Sequence, residues 1–306
     1  MNQPLVTAIV STYNAERFIH GCMEDLIAQS LFNDLEILVI DSGSPQGESA
    51  ICSQYASKHP QIKVIRTKRE PLYVAWNRAI HLATGKYLTN ANTDDRHRND
   101  AFEKLVTKLE NSPEFVLAYA DQVTSSIENE TFENCITRNT RRFSLPDFSP
   151  STMLLGCLTG SQPMWRKNVH EEHGFFDTTY RLAADYEFWM RISQTHSFVH
   201  IPELLGVFFD SPNTLSGANN RFLVDKETLE IQLMYLTRKP WRNDTKIRAR
   251  LAQTIFSTGY HYVEKLHDLK KAKLFLTEAW KLDPLNFDFA KTLILRGVIG
   301  SKWNLE

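Results

Sequence analysis

The stretch TNANTDDRHRND, residues 89–100, sets Asp94 directly beside Asp95 at the end of an apolar run. Neighbouring carboxylates repel, and they do so more strongly where solvent is excluded. Acid concentrated in this way fits one of two settings. One is a solvated polar turn, which Asp and Asn favour; the other is a site where a cation arrives. Hard oxygen ligands suit Mg²⁺ or Mn²⁺, whose remaining positions accept phosphate oxygens and water. Other candidate groups stand in similar places. Thr12, Tyr13 and Asn14 follow one apolar run, Asp41 and Ser42 end another, and Asp185 opens the segment DYEFWMR with Glu187 two residues on.

The elements that must position these groups are legible in the apolar pattern. LVTAIVSTYN (5–14), LEILVIDSGS (35–44), IKVIRTK and KYLTNANTDD are short, β-branched-rich runs of the kind buried on both faces of a sheet. Between them, Phe18, Ile19, Cys22, Met23, Leu26 and Ile27 follow a helical period, ESAICSQYASKH reads as a second helix, and LYVAWNRAIHLATG as a third, stopped at Gly85. The order β-α-β-α-β-α-β predicts a parallel sheet covered by helices, with ligands at the carboxyl ends of the strands. Thr12–Asn14, Asp41–Ser44 and Asn92–Asp95 all fall at those ends. A helix near 100–111 and the strand FVLAYADQV follow. Residues 124–152 read as loops or edge strands, and residues 210–220 as a boundary rich in Pro, Gly, Ser and Asn. These features set a first domain at 1–218 and a helical extension at 219–306.

VSTYNAE, EILVIDSGS, AWNRAIHLATGKYL, NANTDDR, GFFD and AADYEFWMR occur in the order found in the inverting family 2 glycosyltransferases, and residues 4–210 resemble that family. The resemblance implies the α/β GT-A fold, a mixed or parallel sheet flanked by helices, and sugar transfer from a nucleotide sugar to a glycan, lipid-linked sugar or protein acceptor. This is chemistry of surface polysaccharide or glycoconjugate synthesis. It implies that Asp95 ligates Mn²⁺ or Mg²⁺ and that Asp94 faces the ribose. Thr12, Tyr13, Asn14, Asp41 and Ser42 are expected around the base and ribose, with Asn77 and Arg78 on a helix that approaches the nucleotide. Arg78 serves equally well as a surface ion-pair residue. Asp185 is the implied general base, taking the acceptor's proton from the face opposite the leaving group. Glu187 and Trp165 are expected to be structural, and His97 to be a surface residue. Two departures matter. Asn92 stands where relatives carry another acid, which implies modest metal affinity. Ser42 stands where many have the acid that reads uracil, which leaves GDP- and TDP-linked donors open beside UDP.

The remaining features exclude more than they assign. The 306 residues carry 35 basic and 36 acidic side chains, a balance unsuited to a phosphate backbone, so no nucleic-acid partner is expected. Cys22, Cys52, Cys135 and Cys157 lack metal-ligand spacing and are expected as free thiols in a reducing compartment. No leader or apolar run of about 20 residues is visible, so the expectation is a cytoplasmic protein, with attachment at a membrane surface left open. Around 250–290, Ala272, Leu276, Ala279 and Pro284 resemble the spacing of a tetratricopeptide repeat, a helical cap or a contact for a homo-oligomer or protein partner. Two other functions compete: a sugar-nucleotide nucleotidyltransferase, whose basic Gly-rich first loop is missing from STYNAERF, and a non-catalytic sugar-nucleotide- or protein-binding module, which has no need of a base at Asp185.

Overall fold

A computed structural model describes residues 3–138 and 140–295. Among the described residues nine strands form one mixed sheet: β1 (Val6–Thr12), β2 (Leu35–Asp41), β3 (Ile62–Arg66), β4 (Tyr87–Asn90), β5 (Arg96–His97), β6 (Phe115–Ser125), β7 (Arg142–Phe143), β8 (Met164–Arg166) and β9 (Ser197–Phe209). Their order is β3-β2-β1-β4-β8-β6-β9-β5, with β7 on β6. The helices are α1 (Glu16–Ile27), α2 (Glu48–Lys58), α3 (Leu72–Leu82), α4 (Ala101–Glu110), α5 (Phe132–Thr137), α6 (Pro150–Leu155), α7 (Val169–His173), α8 (Ala184–Ile192), α9 (Arg221–Leu236), α10 (Thr245–Glu264), α11 (Leu269–Leu282) and α12 (Phe287–Thr292).

The first four strands are parallel, whereas β8 runs antiparallel to both β4 and β6, and β5 antiparallel to β9. The parallel order read from the strand–helix alternation therefore holds for β1–β4, and the sheet is mixed beyond them. The antiparallel pieces are two or three residues long, too short for a periodicity to register. Residues 1–149 with 157–218 make one compact unit, and 150–156 with 219–306 a second. Residues 296–306 of the helical extension lie outside the described residues.

In the first unit, alternation along β1 and β2 turns Val6, Ala8, Val10, Ile37 and Val39 to one face, where Ile19, Cys22, Met23 and Leu26 of α1 and Phe102, Leu105 and Leu109 of α4 pack on them. In the second unit, α10 and α11 form a helical hairpin in which Tyr262 and Phe275 stack at 5.4 Å with rings nearly parallel, and Ala272, Leu276 and Ala279 are buried. Among the described residues no helix is long and apolar enough to cross a membrane.

Gly85 does not stop α3, which ends at Leu82 with Ala83 in extended conformation. Its value lies in close backbone approach: it donates its N–H to Thr7 Oγ1 at 3.0 Å, and a Cβ there would meet Thr7 N at 2.6 Å and Val6 C at 2.8 Å. Both are backbone-side atoms that cannot swing away. Gly85→Ala is therefore expected to lower stability by about 1–3 kcal/mol, the usual cost of overpacking, read as a lower urea midpoint at unchanged slope. An unaltered midpoint would contradict this close approach.

Candidate active site

Register places the strand ends together. Thr12 pairs with Asp41 and Asp41 with Arg66, so three loops leave the sheet side by side. One buried carboxylate ties two of them. Glu48, in the first turn of α2, accepts the Ala15 N–H at 2.6 Å and the Thr12 hydroxyl at 3.4 Å. The Ser44 hydroxyl lies 2.9 and 2.8 Å from its two oxygens and accepts the Asn14 N–H at 3.1 Å. The turn between Asp41 and Ser44 needs Gly43, whose φ is +67°. Asp41 is fully buried: Oδ1 accepts the Ser44 N–H at 2.8 Å, while Oδ2 accepts no hydrogen bond and lies 3.6 Å from Arg66 Nε.

These contacts divide the expected nucleotide-binding set. Thr12, Asp41 and Ser42 are buried beneath the rim; Tyr13 and Asn14 are exposed on it, with the Arg69 guanidinium 3.8 Å above the Tyr13 ring. Glu48 was not legible as a site residue, because an acid opening a helix reads as a favourable dipole contact and only the fold shows its burial.

The acidic pair follows β4. Asp95 is 2% exposed and accepts the Asn92 amide at 3.1 Å and the Phe209 N–H at 3.0 Å, and the nearby Ser161 side chain favours its charged form. Burial, and then the Asp94 charge, push its carboxyl up to about 7. Asp94 is half-buried and is also raised by burial. Among the described residues no lysine or arginine lies within ion-pair distance of either. Each carboxylate oxygen has two lone pairs, so Asp95 can take a cation without releasing its N–H donors. Two adjacent carboxyl groups with no ion pair among the described residues offer the hard oxygen donors that suit a divalent ion.

Asp185 is the second residue of α8 and is partly buried. The Tyr73 hydroxyl donates to its Oδ1 at 2.8 Å, and burial together with that carboxylate raises the phenol well above its ordinary value. Tyr73 packs edge-on against Trp76, whose indole N–H donates to Ser11 Oγ at 3.2 Å, so α3 links the acid to the end of β1. Residues 157–161 lie near both sets of acids. Cys157, though exposed as a residue, has a thiol crowded by neighbouring atoms and by the Asp185 charge, which push it up to about 12. Ser161 accepts the Asn90 amide through its carbonyl at 2.5 Å and reaches Asp95.

Other expected residues play different parts. Asn77 spends both ends of its amide on the Phe176 backbone, donating to its carbonyl at 2.9 Å and accepting its N–H at 3.0 Å. Arg78 forms a two-point ion pair with Glu70 at 3.0 and 2.8 Å. Both therefore brace α3 in this structure. Trp165 and Trp189 are buried and meet at 5.2 Å, so Trp189 supports α8 from within. Glu187 is buried and pairs with Arg191 one turn on. The expectation of a surface His97 is wrong. It lies buried on β5 against Phe102, neither ring nitrogen has a hydrogen-bond partner among the described residues, and burial pulls it down to about 4. All four cysteines are free; Cys22, Cys52 and Cys135 are buried.

Residues 7–174 match the Glycosyl transferase family 2 domain. The chain belongs to that family. An uncharacterized glycosyltransferase of Haemophilus influenzae is 27% identical over 72% of this chain and 69% of its own length. In three other curated relatives the matched segment covers under a third of the relative's length. Among solved structures, S. aureus TarS 1-349 in complex with UDP superposes with a TM-score of 0.66 at 15% identity, covering 92% of this chain and 81% of that one. The mannosyltransferase PcManGT from Pyrobaculum calidifontis, in complex with GDP-Man and Mn²⁺, gives 0.61 at 18% identity, covering 100% and 89%. This family 2 glycosyltransferase has their GT-A-like fold, with C-terminal helices.

Glu48 generates a direct test. Glu48→Ala leaves a buried N–H and two hydroxyls unmet, at about 1–3 kcal/mol for each buried group left without a partner. The urea midpoint should fall by the equivalent of roughly 2 kcal/mol or more, and Glu48→Gln, which keeps an acceptor, should lose less. Equal stability of Glu48→Ala and wild type would show that the rim does not depend on this carboxylate.

Proposed function

We propose that this protein is an inverting, metal-dependent glycosyltransferase that moves a sugar from a nucleotide donor to a glycan, lipid-linked or protein acceptor in surface polysaccharide or glycoconjugate synthesis. The observation that carries this reading is the pairing of two different acidic settings in one unit. Asp94 and Asp95 stand together with no ion pair among the described residues, and Asp185, on another element, is oriented by a phenol.

On this reading Asp94 and Asp95 hold Mn²⁺ or Mg²⁺. When bound, the ion supplies the counter-charge for the departing nucleoside diphosphate. Tyr13 and Asn14 face the nucleotide from the first loop. Asp41 Oδ2, the acceptor without a hydrogen bond, takes a base N–H when the half-exposed Arg66 side chain turns aside. Thr12 and Ser42 hold the backbone beneath, and Asn77 and Arg78 fix α3 so that Tyr73 reaches the base. Asp185 accepts the acceptor hydroxyl's proton as the new bond forms, which requires it to be ionised before attack. The Tyr73 hydrogen bond favours that ionised form. UDP, UDP-GlcNAc and GDP-Man are bound by TarS and PcManGT, and we carry over uridine and guanosine donors as the first classes to try, with TDP-sugars kept beside them. Four free thiols fit work in the cytoplasm. The helical hairpin of α10 and α11 we read as a lone tetratricopeptide-like pair offering a docking surface for a partner or a second copy.

The test is donor turnover by the full chain with UDP-, GDP- and TDP-sugars, with and without Mn²⁺, scored as nucleoside diphosphate release. Wild type should release it in a metal-dependent manner with one nucleotide class. Asp185→Asn should cut the rate by about 10²–10⁴-fold, the usual weight of a general base, while leaving donor binding intact, and Asp95→Ala should abolish metal-dependent binding. Full turnover by Asp185→Asn would remove the base assignment, and formation of nucleoside triphosphate and sugar 1-phosphate on adding pyrophosphate would indicate nucleotidyl transfer instead.

A further inference from the structure

Two imidazoles and a carboxylate converge at the far end of the helix that carries Asp185. Glu172 and His173 close α7, and His196 lies between the end of α8 and the start of β9. His173 Nε2 is 3.3 Å from Glu172 Oε1, and His196 Nε2 is 3.1 Å from Glu172 Oε2. One ligand atom from each residue lies within 4.8 Å of the other two, and among the described residues no other trio of His, Cys, Asp or Glu is placed this way. The two rings stand 5.2 Å apart and nearly perpendicular, so their nitrogens approach one carboxylate from different directions.

Each His–Glu distance is close to the separation that a small ion sets between its ligands. Nitrogen and oxygen ligands about 2.0–2.2 Å from tetrahedral Zn²⁺ sit roughly 3.3 Å from one another. We propose that Glu172, His173 and His196 bind Zn²⁺, with water in the fourth position, and that the ion staples α7 to the entry of β9. The surroundings favour it. Arg191 donates to the carbonyls of His173 and Phe175 at 2.6 and 3.0 Å and so fixes the backbone carrying the ligand. The Thr195 hydroxyl lies 3.3 Å from His173 Nε2. The His173 side chain is largely enclosed, which holds its ring in place beside Glu172. Imidazoles select a borderline ion such as Zn²⁺ over Mg²⁺, which separates this site chemically from the oxygen-only pair at Asp94 and Asp95. The staple is structural: it secures both neighbours of α8, and with them the base of the reading above, although the metal binding itself does not depend on that reading.

The test uses the full, tag-free chain stripped with chelator and titrated with Zn²⁺ in excess Mg²⁺. Co²⁺ in place of Zn²⁺ reports four-coordinate geometry through its visible absorption. One equivalent should bind to wild type and equally to Asp95→Ala, and Zn²⁺ should raise the unfolding temperature of both. In His173→Gln/His196→Gln, affinity should fall tenfold or more and the temperature shift should vanish. Unchanged far-ultraviolet circular dichroism shows that this variant is folded, and the single variants, each expected to weaken binding, serve if it is not. No binding by wild type at micromolar Zn²⁺, or equal binding by the double variant, would reduce the trio to a hydrogen-bonded His–Glu cluster and overturn the proposal.

Discussion

A carboxylate buried without a cation is costly, because the charge loses water and gains only dipoles in return. Asp95 is such a group, and much of the site's geometry follows from how the chain accommodates it. Its partners come from three separated places: Asn92 beyond β4, Phe209 at the end of β9, and Ser161 in the loop before β8. Satisfying one side chain therefore brings together segments more than a hundred residues apart. The raised carboxyl shows that these dipoles do not fully replace a counter-ion.

The same economy recurs on the other side of the rim. Glu48 draws the first two strand-end loops onto one buried anion, and the bidentate contact of Arg96 with Asp25 at 2.7 and 2.6 Å anchors the chain just after the acidic pair. Between these polar joints, an aromatic cluster of Tyr73, Trp76, Trp165, Phe176, Phe188 and Trp189 packs edge to face and fixes α3 against α8. The polar joints set the loops and the aromatic cluster sets the helices. Asp185 and the acidic pair, held by different devices, can differ in protonation and in role, as the proposed transfer requires of one carboxylate that holds charge and another that takes a proton.

The strands carrying the rim could be read from sequence because β1 and β2 are buried on both faces and so carry unbroken apolar runs. The acidic pair, Asp41 and Asp185 stood out for the same reason, as polar residues where apolar runs or helices begin and end. What could not be read is which polar residue faces inward. Glu48 and Asp94 are both acids at element boundaries, yet one is a sealed structural hub and the other half-open. Asn77 looked available until the backbone of Phe176, 99 residues away, took both ends of its amide. His97 sits in a polar stretch, and its burial depends on β9, a strand 13 residues long that arrives far later in the chain. Local pattern fixes periodicity, and long-range contacts decide the direction of each side chain.

The central claim is that the acidic pair and the strand-end loops form one nucleotide site. Anomalous diffraction from crystals grown with Mn²⁺ and a nucleoside diphosphate tests it most directly. The account predicts a single strong manganese peak at coordination distance from the Asp94–Asp95 carboxylates, within about 2.0–2.6 Å, with the diphosphate on the same ion and the base over Tyr13 and Asn14. A nucleotide bound elsewhere, or manganese that avoids both aspartates while the nucleotide is held, would contradict it.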